Sequence, residues 1–143
     1  MNERREFLIT AMTTMAASVV AAREAQAGQA KPTPAKPLAQ RDAPNVNLDG
    51  WQMTASEVSY APGQVSGRHR HPGFVIGYVL EGQYQFAVDD NPPATLNVGQ
   101  MFFESFDKPG QVHAVSGNAS KTAPCRILAV VFTKKGDPVT IPG

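Results

Sequence analysis

Arg68-His69-Arg70-His71-Pro72-Gly73, running into Phe74-Val75-Ile76-Gly77-Tyr78-Val79-Leu80 and the turn Glu81-Gly82, is the stretch that decides how this chain folds and where its chemistry sits. The second half is a nearly continuous apolar run, rich in β-branched and aromatic residues, and reads as a buried strand. The first half holds two of the chain's three histidines, two residues apart. In extended backbone alternate side chains share a face with Cα atoms roughly 6 to 7 Å apart, so two imidazoles at that spacing can grip one ion. His113 is the third histidine. Neutral imidazole is the commonest metal donor near neutral pH, and the pattern predicts a mononuclear centre held by His69, His71 and His113.

Outward from this stretch, short apolar segments alternate with turn residues. Trp51 to Tyr60 alternates Trp51, Met53 and Ala55 on one face, and Gln83 to Val88 alternates Tyr84, Phe86 and Val88. Thr95 to Val98, Met101 to Phe103, Val112 to Val115 and Cys125 to Thr133 complete the series, with a loop at Phe106 to Gly110. No stretch after residue 46 carries a helical period. Many short strands with Gly and Pro punctuation predict an all-β, antiparallel sandwich or small barrel, whose interior can gather side chains from several strands around one centre.

The front of the chain reads differently. Arg4-Arg5-Glu6-Phe7-Leu8 is a twin-arginine pattern, Phe7 to Ala22 is apolar but diluted by Thr and Ser, and Ala25-Gln26-Ala27 is a small-x-small cleavage site. In that order they predict a signal peptide over residues 1–27, export through the twin-arginine machinery and a periplasmic location in a bacterium. The apolar run falls short of the roughly 20 residues that span a bilayer, so no stable membrane anchor is expected. Residues 28–46, centred on Lys31-Pro32-Thr33-Pro34-Ala35-Lys36-Pro37, have little to bury and predict a flexible linker. Residues 47–143 are then one small domain.

The formal net charge is +1, and residues 1–27 hold Arg4, Arg5 and Arg23 against Glu3, Glu6 and Glu24, so removing them leaves it unchanged. No basic stripe points to nucleic acid. Cys125 is the only cysteine. It excludes an intrachain disulfide and, within an apolar strand, reads as a small buried hydrophobe rather than a soft metal ligand.

The histidines and their flanking glycines resemble the two motifs of the cupin superfamily. Gly63, His69, His71 and Gly82 match the first, and Gly99, Gly110, His113 and Asn118 the second. The resemblance covers roughly Ser56 to Phe132. It implies a double-stranded β-helix, the cupin jelly roll, and three histidine ligands for one divalent transition metal, with Fe, Mn, Zn, Ni and Cu left open. With the need to cover strand edges, it also implies a homodimer.

Two departures stand out. The glutamate that usually supplies a fourth ligand belongs near Val75, and no acid stands there. The second motif is stretched by Ser105-Phe106-Asp107-Lys108. Three neutral imidazoles leave a divalent ion near +2, a stronger Lewis acid than a carboxylate-ligated one, and such variants resemble thiol and diketone-cleaving dioxygenases. Glu104, Gln64, Glu81 and Gln83 are the nearby oxygen donors that could replace the missing ligand, Glu104 and Gln64 first among them. For Glu104 a supporting partner or a solvent-facing charge is the reading placed ahead of direct ligation. Phe74, Val75 and Tyr78 are expected to line an apolar pocket, and Arg68 and Arg70 to face away from the imidazoles. Two functions fit: an exported dioxygenase-like enzyme acting on a small organic molecule, or a non-catalytic cupin that carries or senses a small ligand or metal.

Overall fold

Alternation of apolar and polar side chains lets each strand bury one face, and here two such faces close on each other. The computed structural model describes residues 33–143; the expected signal peptide and the start of the linker lie outside the described residues. Pro37–Gly143 form one unit. Its strands are β1 (Trp51–Tyr60), β2 (His69–Arg70), β3 (Phe74–Glu81), β4 (Gln83–Val88), β5 (Ala94–Asn97), β6 (Met101–Glu104), β7 (Val112–Asn118), β8 (Cys125–Lys134) and β9 (Ile141–Pro142). Among the described residues there is no helix, and none therefore long and apolar enough to cross a membrane.

One sheet has the order β1-β8-β3-β6 and the other β5-β4-β7-β2-β9, and the paired strands run antiparallel. Their inner faces share a core of Tyr60, Val75, Val79, Tyr84, Phe102, Cys125, Ile127 and Val131. The all-β expectation holds, and the strands named from sequence fall within a residue or two of their observed limits, except that β7 continues to Asn118. The two-residue strands β2 and β9 are too short to leave a period in the sequence. Cys125 is 1% exposed within this core, and burial pushes its thiol above the usual range.

Inside the barrel the chain makes room where strands approach. Gly77 lies across from Phe102 in the β3–β6 pair, and a Cβ on Gly77 would fall 1.9 Å from Phe102 Cζ. At the β3–β4 turn Gly82 takes φ +73°, and a Cβ there would meet Pro124 O at 2.2 Å. Only glycine suits both demands.

Upstream of β1, residues 37–46 carry no strand or helix and are largely exposed. This arm is nonetheless fastened to the barrel. The Arg41 guanidinium sits 5.1 Å from the Phe103 ring centre and 5.8 Å from that of Phe106, and pairs with Asp107.

Substituting Gly77→Ala overfills the space under the Phe102 ring. It is expected to destabilise the fold by about 1–3 kcal/mol in denaturant titration; wild-type stability in that variant would show that the ring moves aside freely.

Candidate metal centre

Register brings the histidines together. In the β2–β7 pair His69 lies directly opposite His113, and His71 follows one residue beyond the end of β2. The ligand nitrogens of the three rings all lie within 4.8 Å of one another. His71 and His113 are buried, at 8% and 3% exposure, and His69 is half-buried.

Each ring is oriented from behind. His69 Nδ1 stands 2.8 Å from Gly67 O and His71 Nδ1 2.7 Å from Val139 O. A carbonyl only accepts, so each Nδ1 carries the proton and each Nε2 keeps its lone pair, the arrangement that fixes imidazole ligands around metals. Burial pushes the His71 pKa below its ordinary 6.5, opposed by Glu104 and the Val139 carbonyl, so that the ring is neutral at pH 7 and able to donate. His113 Nε2 is 3.3 Å from the Tyr84 hydroxyl.

Glu104 is the surprise of the site. It closes β6 directly across from Val75, is 2% exposed, and places Oε1 3.1 Å from His113 Nδ1 and Oε2 3.7 Å from His71 Nε2. Of the two places expected for Glu104, beside the ligands or in solvent, burial excludes the second: the strand pairing turns this carboxylate inward. His113 Nδ1 and Glu104 Oε2 are buried yet have no hydrogen-bond partner, the 3.1 Å contact being out of line for one. Orphaned lone pairs at the centre of a histidine cluster are what a cation would satisfy, so the residues present fit a divalent metal.

A chain of hydroxyls leads away from His113. Tyr84 Oη lies 2.7 Å from Ser116 Oγ, which lies 2.7 Å from Tyr60 Oη. Burial drives the Tyr84 phenol far above its ordinary pKa, so it stays protonated. Sequence reading missed these three residues. Tyr60 and Tyr84 were visible as strand aromatics, but which hydroxyls meet across the barrel depends on pairings the sequence does not display.

The cluster opens on a cavity of about 480 Å³ whose walls include Val58, Val75, Phe102, Ile127, Ala129 and Val131. Of the expected pocket residues, Val75 lines it and the other two do not. Phe74 points to the opposite face of the sheet, stacked on Phe132 at 4.6 Å and tilted against Trp51 at 5.9 Å. Tyr78 shares that outward parity and is half-buried. Gln64 also lies outside the cavity walls: its Oε1 accepts from Ala61 N at 2.8 Å and closes a turn. Asn118 has a structural role, its Nδ2 donating to Ala61 O at 3.2 Å and Ala123 O at 2.7 Å while Oδ1 accepts from Ser120 N at 2.8 Å.

Comparison with known proteins agrees with this architecture. No curated protein matches the chain. It is similar to the solved structure of a DMSP lyase from Ruegeria pomeroyi, at TM-score 0.51 and 19% identity, over 63% of this chain and 42% of that one. It is similar likewise to an oxalate decarboxylase from B. subtilis, at TM-score 0.51 and 14% identity, over 64% of this chain and 24% of that one. The chain spans less than half the length of either, and at these identities the likeness is one of fold. The family model described as Cupin domain matches residues 56–131, more than half of the 143 residues, and the chain belongs to the cupin family.

Proposed function

We propose that this chain is an exported, mononuclear metal-binding cupin that admits one small organic molecule to its barrel and acts on it with oxygen. The observation that carries the reading is the convergence of three ring nitrogens within 4.8 Å at the wall of an apolar cavity. Its volume, about 480 Å³, falls within the roughly 300–1,000 Å³ typical of small-molecule sites. The export part rests on the order of signal elements before Gly28, and a homodimer is supported by the half-buried apolar residues on the outward face of β3.

The residues divide the work. His69, His71 and His113 would hold one divalent transition ion, which when bound supplies a Lewis-acid centre for oxygen and substrate. The carbonyls of Gly67 and Val139 keep two of the rings in the donating tautomer. Val75, Phe102, Ile127 and Val131 exclude water from the space beside them. Tyr84 holds a proton at Oη, 3.3 Å from His113, and Ser116 fixes its direction.

Metal content of the full chain, purified after export in a bacterial host, tests the reading together with oxygen uptake over small diketones, thiols and phenols. One equivalent of transition metal with turnover is expected. His71→Ala should lose more affinity than the about 10- to 100-fold that a supporting hydrogen bond is worth. Metal or ligand bound without turnover would point instead to a carrier or sensor, and a well-folded protein that takes up no metal would end both metal-based readings.

The buried neutral state of His71 also sets a pH dependence. Its folded pKa lies below the unfolded 6.5, so the metal-free fold has its full stability above about pH 6.5 and loses it as pH falls from there through the folded value. Melting temperatures in chelator across that window should decline for wild type and flatten for His71→Gln; equal slopes would assign the loss to another group.

A further inference from the structure

We propose that Glu104 is a fourth protein ligand of the metal centre, delivered by β6 from the position directly across from Val75. The inference rests on the metal-binding reading above and adds a ligand that the family motifs do not locate on this strand. Three independent features support it.

The first is register. Val75 and Glu104 are partners in the β3–β6 pair, and both line the same cavity. Cβ atoms of directly opposed residues stand about 4.5–5.5 Å apart, a displacement that a glutamate side chain can span. A carboxylate missing from one strand is thus replaced by one on its neighbour, approaching the same centre from the side.

The second is distance. Donors about 2.0–2.2 Å from one ion and at roughly right to tetrahedral angles stand about 3.0–3.5 Å from each other. Glu104 Oε1 is 3.1 Å from His113 Nδ1, inside that range, and Oε2 is 3.7 Å from His71 Nε2, just beyond it. The shorter contact is not a hydrogen bond, and Oε2 has no partner at all.

The third is charge and its placement. Glu104 is 2% exposed, and its ion-pairing contacts among the described residues are to His71 and His113 only, with no Lys or Arg. An uncompensated carboxylate at that depth is costly, and a divalent ion among the histidines would offset that cost. The chain also spends conformational energy to aim it. Ser105, the next residue, takes φ +59°, a left-handed value rare outside glycine, and is 5% exposed. A reciprocal bracket holds it, Ser105 N donating to Gln111 Oε1 at 2.8 Å and Gln111 N to Ser105 Oγ at 3.2 Å. The insertion that stretches the second motif begins at this residue, so the longer loop fixes the turn that ends β6 at Glu104. With the carboxylate bound, the net charge of the centre falls from about +2 to about +1.

Cobalt(II) binding to the full chain tests this, because the visible absorption of the ion reports its donor set, and chelator competition reports affinity. Glu104→Gln is expected to bind Co(II) at least about 100-fold more weakly and with an altered spectrum. Moving the acid back, in Val75→Glu/Glu104→Gln, is expected to recover most of the affinity. Should Glu104→Gln fail to fold, Glu104→Asp keeps the charge but shortens the reach by one methylene, and the same two changes are expected. A spectrum identical to wild type at saturation in the Gln or Asp variant overturns the assignment while leaving the three-histidine centre intact. A folded wild-type protein that takes up no cobalt overturns both.

Discussion

A strand of only two residues, His69–Arg70, clamped between β7 and β9, is the constraint on which the site depends. Two residues cannot hold a course by themselves. Hydrogen bonds on both sides fix their register, and that register sets His69 against His113. Two residues further on, His71 reaches the same point, where the carbonyl of Val139, on the segment leading to β9, accepts a hydrogen bond from its Nδ1. The last residues of the domain are thus part of the support of its first histidines.

The barrel tolerates this polar cluster because it is satisfied almost everywhere else. Ser116 links Tyr60 to Tyr84, and Asn118 uses both ends of its amide on neighbouring backbone. Networks of this kind cost little when complete and much when one member is left unpaired. Against that background the open lone pairs on His113 and Glu104 stand out as a place prepared for something positive. Packing around it is tight, with Phe102 pressed onto Gly77 on one side and against Tyr84, at 5.0 Å between ring centres, on the other.

What the sequence made legible followed from period and spacing. The strands, the histidine trio and the turn glycines could be read, and Gly63, Gly82, Gly99 and Gly110 all take positive φ. Parity within β3 could have taken the reading further: Val75, Gly77 and Val79 face inward, which leaves Phe74 and Tyr78 on the other surface. Phe74 sits next to Val75, where the usual ligand is missing, but neighbours along a strand face opposite sides, and Tyr78 shares the parity of Phe74. Glu104 was legible as a nearby oxygen donor, but its distance from the histidines was not. Its place beside His71 and His113 comes from a cross-strand pairing between β3 and β6, and no local pattern states which residue of one strand opposes which of another.

Cys125 carries a consequence for a barrel proposed to handle oxygen. The chain's one thiol is sealed between the sheets and held in its protonated form, whereas oxidation and exchange proceed through an accessible thiolate. Peroxide or a thiol reagent can reach it only when β8 separates from its neighbours. Its modification rate is therefore a clock for cooperative opening of the sandwich, ticking independently of whatever happens at the histidines.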